Sequence, residues 1–160
     1  MKLSEPLVLE RFLPYRLSIL ANTVSRSIAR RYEERFGLTI PQWRVMAVLG
    51  LHPELSASQL VERTAMDKVT VSRAVSALVA ARRVRRAVDP EDRRRSLLRL
   101  TRGGRSVYAE IVPLARSYER ELVADLGREE FAALEQLVGQ LTQRARTLAW
   151  DEDSAHRPAR

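Results

Sequence analysis

At 160 residues and 45% hydrophobic, the chain can bury a real core in one or two domains. No signal peptide is expected, and no apolar run comes near the ~20 residues of a membrane span, which speaks against a membrane role. With no cysteine and two isolated histidines, His52 and His156, disulfides and thiol redox sensing are excluded and no metal or other cofactor is expected; a cytoplasmic setting fits.

Residues Leu7 to Phe36 hold a long helical pattern, with Leu9, Phe12, Leu13, Leu17, Leu20, Val24, Ile28 and Tyr32 at helical spacing. Pro14 should kink or start the main run, and Gly37 should end it. A second helix is expected from Thr39 or Ile40, with Pro41 near its first turn and Trp43, Val45, Met46, Val48 and Leu49 giving a wide apolar face. Leu51-His52-Pro53 breaks it. Ser56 and Gln59 have capping-box spacing and open a short helix through about Arg63.

The stretch Asp67 to Ala81 predicts one helix with Asp67 as N-cap and Val71, Val75 and Leu78 as its apolar stripe. Its other face carries Val69, Ser72, Arg73 and Ser76, with Lys68 and Thr70 near the start, and no carboxylate. Val84 to Val88 and Leu97 to Leu100 are strand-like runs joined by the charged DPEDRRRS. A helix then begins at Thr101, carries Val107, Ile111, Leu114, Tyr118, Leu122 and Leu126, contains Pro113, and is expected to end at Gly127. Phe131, Leu134, Val138, Leu141, Ala145 and Leu148 repeat at 3-4-3-4-3 spacing, the stripe of a helix that packs against partners. From Trp150 to Arg160 a disordered tail is expected.

The charge is concentrated. Arg63 to Arg105 holds 13 Lys/Arg against 4 Asp/Glu, a net of +9; the rest holds 15 against 16, a net of −1, giving the overall +8. That localisation fits a polyanion partner, and a basic helix followed by a basic hairpin can engage two grooves of duplex DNA at once. No Gly-rich phosphate loop and no Ser/His/Asp set stands at usable spacing, so no enzyme is expected. Three readings compete: a sequence-specific dimeric regulator on duplex DNA, a non-specific architectural or RNA-binding protein, and a winged helix serving as a protein-interaction module. The hydroxyl-rich helix face favours the first.

FGLTIPQWRVMAVL, LSASQLVERTAMDKVTVSRAVSALVAARRVRR and DPEDRRRSLLRLT resemble consecutive signature stretches of the MarR family of bacterial winged-helix regulators. The resemblance runs from about Leu7 to Leu148, with one departure: the turn before the wing usually carries Gly, and Ala80-Ala81-Arg82-Arg83 has none. It implies a mostly α fold, α+β by its wing, with a winged helix-turn-helix at 37–101 and dimerisation helices at 1–36 and 102–149. The partners implied are a second copy of the chain, a pseudo-palindromic double-stranded operator, and a small aromatic acid or aromatic acyl-CoA effector. Lys68, Thr70, Ser72, Arg73 and Ser76 would then meet the major groove or its phosphates. Arg94, with Arg93 and Arg95 beside it, would enter the minor groove, and Asp92 would orient Arg94. Arg82, Arg83, Arg85 and Arg86 are phosphate candidates. Tyr15, Arg16, Arg30, Trp43 and His52 could wall an effector pocket. The competing expectation is a ligand-independent or non-specific architectural protein.

Overall fold

The structure, a computed structural model, describes residues 7–88 and 96–155. A 3-10 turn at Leu9–Arg11 precedes helix α1, Leu13–Phe36, whose start is fixed by Pro14 in the first turn. Gly37 closes α1 in the left-handed conformation (φ 60°), returning its N–H to the Glu33 carbonyl. Helix α2, Ile40–Leu51, opens on a reciprocal capping box between Thr39 and Gln42, and helix α3, Ala57–Thr64, on one between Ser56 and Gln59. Both caps satisfy backbone donors that have no partner inside the helix.

Helix α4, Lys68–Ala80, follows a turn in which Ala65 takes a left-handed conformation (φ 52°). Its Val71, Ala74, Val75 and Leu78 are buried and join Leu38, Val45, Met46, Leu49 and Leu60 from the neighbouring segments in one core. Asp67 caps it twice, accepting from the Thr70 N–H at 2.8 Å and the Thr70 hydroxyl at 2.6 Å. The hydroxyl bond, then the backbone bond, holds the Asp67 carboxyl below its ordinary value. Trp43 of α2 packs against Tyr32 (ring centroids 5.7 Å apart) and Tyr108 (6.0 Å). Burial pushes the Tyr32 phenol up to about 12, so it stays neutral in the core.

The sheet has three antiparallel strands in the order β1-β3-β2: Leu55–Ser56, Ser96–Leu100 and Val84–Val88. The two-residue β1 was not expected from the sequence. It is too short to show alternation, and pairs only because the α2–α3 connection runs beside Leu97 and Leu98. Between α4 and β2, Arg82 adopts φ 55°, the left-handed place where the resemblance called for Gly. The helix still ends sharply, because the Arg83 N–H returns to the Leu78 carbonyl and the Thr101 hydroxyl donates to the Arg82 carbonyl at 2.7 Å.

Helix α5, Arg102–Leu122, begins as expected at Thr101, whose hydroxyl accepts from the Gly104 N–H at 2.9 Å. It ends at Leu122 rather than Gly127. Gly127 instead opens helix α6, Arg128–Ala155, with its carbonyl accepting from Phe131 and its N–H donating to Glu130. A glycine without positive φ, three residues before a carboxylate, acts here as an N-cap. The tail expected from Trp150 is corrected as well: α6 runs on to Ala155, since no Gly or Pro stands between Trp150 and Pro158. Residues 156–160 lie outside those described.

Two compact units emerge, Met1–Arg116 and Ser117–Arg160, with the division inside α5. The first unit takes in α1, whose Ala29 and Tyr32 belong to the core. In the second, Leu134, Val138, Leu141 and Leu148 of the spaced stripe are exposed and Phe131 is half-buried. Among the described residues no helix is long and apolar enough to cross a membrane.

Two stability predictions follow from the junction at the root of the wing. A Cβ at Gly104 would meet the Arg83 carbonyl, which is backbone and cannot swing away; Gly104→Ala should cost ~2–3 kcal/mol in urea unfolding. Arg82→Gly, relieving the left-handed side chain, should instead gain roughly 0.5–1 kcal/mol, and a loss would show that the arginine side chain stabilises the turn.

A third prediction concerns acid. Because the folded carboxyl of Asp67 is held low, its contribution is fully present above the unfolded carboxylate range and fades as pH falls through the folded value. Asp67→Ala should therefore melt below the wild type at pH 7, with the gap narrowing towards pH 2. A gap constant with pH would remove the charge from the explanation.

Candidate nucleic-acid interface

The helical period that buries Val71, Val75 and Leu78 turns Lys68, Ser72, Arg73 and Ser76 to solvent, and all four are exposed on α4. Thr70 stands apart from them. It is half-buried and its hydroxyl proton is committed to Asp67, so it serves the cap first. Val69, omitted from the expected contacts, is 58% exposed between Lys68 and Thr70 in the first turn of α4. An apolar residue open on a basic face is the signal that could have singled it out, since a thymine methyl is a natural contact for it.

Lys68 and Ser72 share a groove of about 370 Å³ with Ala57 and Glu62 of α3 and Arg86 of β2. The four arginines Arg82, Arg83, Arg85 and Arg86 thus separate. Arg86 stands beside the α4 face. Arg85, one residue earlier on a strand of period two, lines a different hollow with Arg99 and Arg105. Arg83 donates to the Phe36 carbonyl at 2.5 Å and so ties the end of α1 to the wing root. Arg82 is exposed at the turn, with its backbone in the left-handed conformation. Arg93, Arg94, Arg95 and Asp92 lie outside the described residues.

Of the five expected effector residues, Tyr15 and Arg16 line one hollow, and Trp43, His52 and Arg30 are not among its lining residues. Tyr15 and Arg16 line a shallow hollow of about 410 Å³ on α1 with Glu10, Ile19, Leu20 and Thr23. Trp43 is held in the aromatic stack between Tyr32 and Tyr108. His52, half-buried at the end of α2, has its Nε2 3.3 Å from Arg63 Nη1. Arg30 is exposed on α1. Chemically, the α4 face offers hydrogen-bond donors and two cations, Lys68 and Arg73, to a polyanion.

Comparison with known proteins converges on the same architecture. A sequence profile of the MarR family matches residues 36–95. The transcriptional regulator HosA of Escherichia coli O111:H- is 32% identical over 110 residues, covering 69% of this chain and 82% of HosA. The HTH-type transcriptional repressor NicR of Pseudomonas putida is 30% identical over 97 residues, 61% of each chain. Among solved structures, Bordetella bronchiseptica BpsR, described with the regulation of its DNA binding by 6-hydroxynicotinic acid, superposes with a TM-score of 0.76 at 25% identity, covering 86% of this chain and 97% of BpsR. With its helix-turn-helix, its basic outward face and its three-stranded wing, the chain belongs to the MarR family of winged-helix transcriptional regulators.

Proposed function

We propose that the protein is a homodimeric, sequence-specific repressor acting in the cytoplasm on an inverted-repeat operator, with α4 in the major groove and the wing in the minor groove. The observation that carries this reading is the α4 face, where Lys68, Ser72, Arg73 and Ser76 stand exposed without a carboxylate among them. Hydroxyls and a guanidinium on one helix face can meet base edges as well as phosphates, which a purely architectural binder does not need. The repressor assignment is supported by the likeness to NicR. Dimerisation is supported by apolar side chains left open on both terminal helices: Leu13, Leu17 and Leu20 on α1, and Leu134, Val138 and Leu141 on α6. Two recognition helices related by a two-fold axis demand half-sites about one helical turn apart, ~10 bp.

An aromatic organic anion is the proposed effector. Support comes from Tyr15 and Arg16, which bring a ring and a cation to one hollow, and from the likeness to BpsR. By linkage, effector must weaken operator binding by the factor with which operator weakens effector binding; equal effector affinities with and without operator, measured by calorimetry, would refute the coupling.

Light scattering at micromolar concentration should return the dimer mass. If the dimer neutralises about eight phosphates, log K against log salt should slope by roughly −7, and a slope shallower than about −2 would turn the basic stretch away from DNA. Arg73→Ala should cost ~1–3 kcal/mol per half-site and relax preference at one base pair, whereas Arg116→Ala, on α5, should cost little. Equal losses in the two variants would mean that net charge alone drives binding.

A further inference from the structure

A hollow at the root of the wing is left unused by that reading. It has a volume of about 440 Å³ and is lined by Arg85, Arg99 and Arg105 together with Glu54, Leu100 and Tyr108. Arg85 and Arg99 are directly opposed across β2 and β3, so both side chains leave the same face of the sheet. Like charges in that register repel unless something negative lies between or beside them. Glu54 answers only part of this, pairing with Arg99. Arg105, from the first turn of α5, donates to the Leu100 carbonyl at 2.8 Å, which anchors its guanidinium close to the central strand. The Arg99 Nε–H is buried and has no acceptor among the described residues.

We propose that this hollow is a binding site for a small organic anion bearing two negative charges, a phosphate monoester or a dicarboxylate. Three guanidinium groups against one carboxylate leave the lining at +2, which such a dianion neutralises. Guanidinium forks match both phosphate and carboxylate oxygens. An organic body is called for because the hollow exceeds what an inorganic phosphate fills, and the rest of its wall is apolar: Leu49, Pro53, Leu100 and the Tyr108 ring. The site is distinct from the α4 groove, since Arg85 and Arg86 leave opposite faces of β2. It is also distinct from the Tyr15–Arg16 hollow on α1. It joins the strand β3 to the first turns of α5, so an occupant would brace the wing against that helix.

The test is titration of the full-length protein with phenyl phosphate, phthalate, benzoate and inorganic phosphate, by calorimetry and thermal shift at low salt. At least one of phenyl phosphate and phthalate should bind ten-fold or more tightly than benzoate and inorganic phosphate, and whichever of the two binds identifies the headgroup. Arg85→Gln and Arg99→Gln should each weaken that binding at least ten-fold, while Arg73→Gln on α4 and Arg116→Gln on α5 should leave it within two-fold. Arg85 is exposed, so its variant decides the matter if Arg99→Gln unfolds the wing. Absence of saturable binding by either dianion would overturn the proposal. So would equal affinity for benzoate, or equal losses in all four variants. So would Arg85→Gln weakening operator binding with no small anion bound, which would assign these arginines to DNA phosphates. The titrations use protein without DNA, so their failure leaves the operator reading standing.

Discussion

Helix α4 can hold Lys68, Ser72, Arg73 and Ser76 outward only because Val71, Ala74, Val75 and Leu78 are fixed inward. A solvent-facing helix of thirteen residues with no acid on it has little reason to be stable alone. Burial of those apolar side chains, each large one contributing roughly 1.5–3 kcal/mol, sets both its existence and its rotation about its own axis. Met46 and Leu49 of α2 and Leu60 of α3 form the other side of that contact. A rotation of one residue would turn the basic side chains sideways and expose Val75. The outward placement of these side chains is thus a consequence of core packing, with the Asp67 cap locating the helix start along its axis.

The wing depends on a second constraint, the crossing of the α4–β2 turn with the start of α5. Gly104 lets the Arg83 carbonyl approach where no Cβ could stand, and Thr101 bonds both the Arg82 and Arg83 carbonyls. That crossing holds Arg82 in a left-handed conformation that an arginine does not favour. Tertiary hydrogen bonds therefore replace what a glycine would have supplied locally. Arg83, reaching across to the carbonyl of Phe36, adds the end of α1 to the same junction. One small region consequently ties together the helix entering the interface, the strands of the wing and the two helices behind them.

The strand period then distributes charge. Arg85 and Arg86 are neighbours in sequence yet line different hollows, one with Tyr108 and Arg99, the other with Lys68 and Ser72. Among the described residues, the basic side chains of the central stretch are therefore not all on one surface, and the net charge of +9 alone overstates what the α4 groove carries.

Much of the local structure was legible beforehand because it rests on short-range chemistry. The capping box at Ser56, the Asp67 cap, the helix-ending Gly37 and the inward stripe of α4 all act within four residues, so their pattern is written in adjacent letters. The outward α4 residues were readable for the same reason, being the complement of the stripe. Long-range geometry was not. β1 exists only by pairing with a strand some forty residues away, and the role of Arg83 depends on a carbonyl at Phe36. Gly127 looked like a stop and is a start, since the last turn of α5 gives way at Leu122 and the glycine N–H finds Glu130 ahead of it. Trp43 and His52 carry side chains suited to a ligand, but spatial neighbours absent from their local sequence direct them to an aromatic stack and to Arg63. Residue type announces what a side chain can do; only the packing of distant segments decides which neighbour it meets.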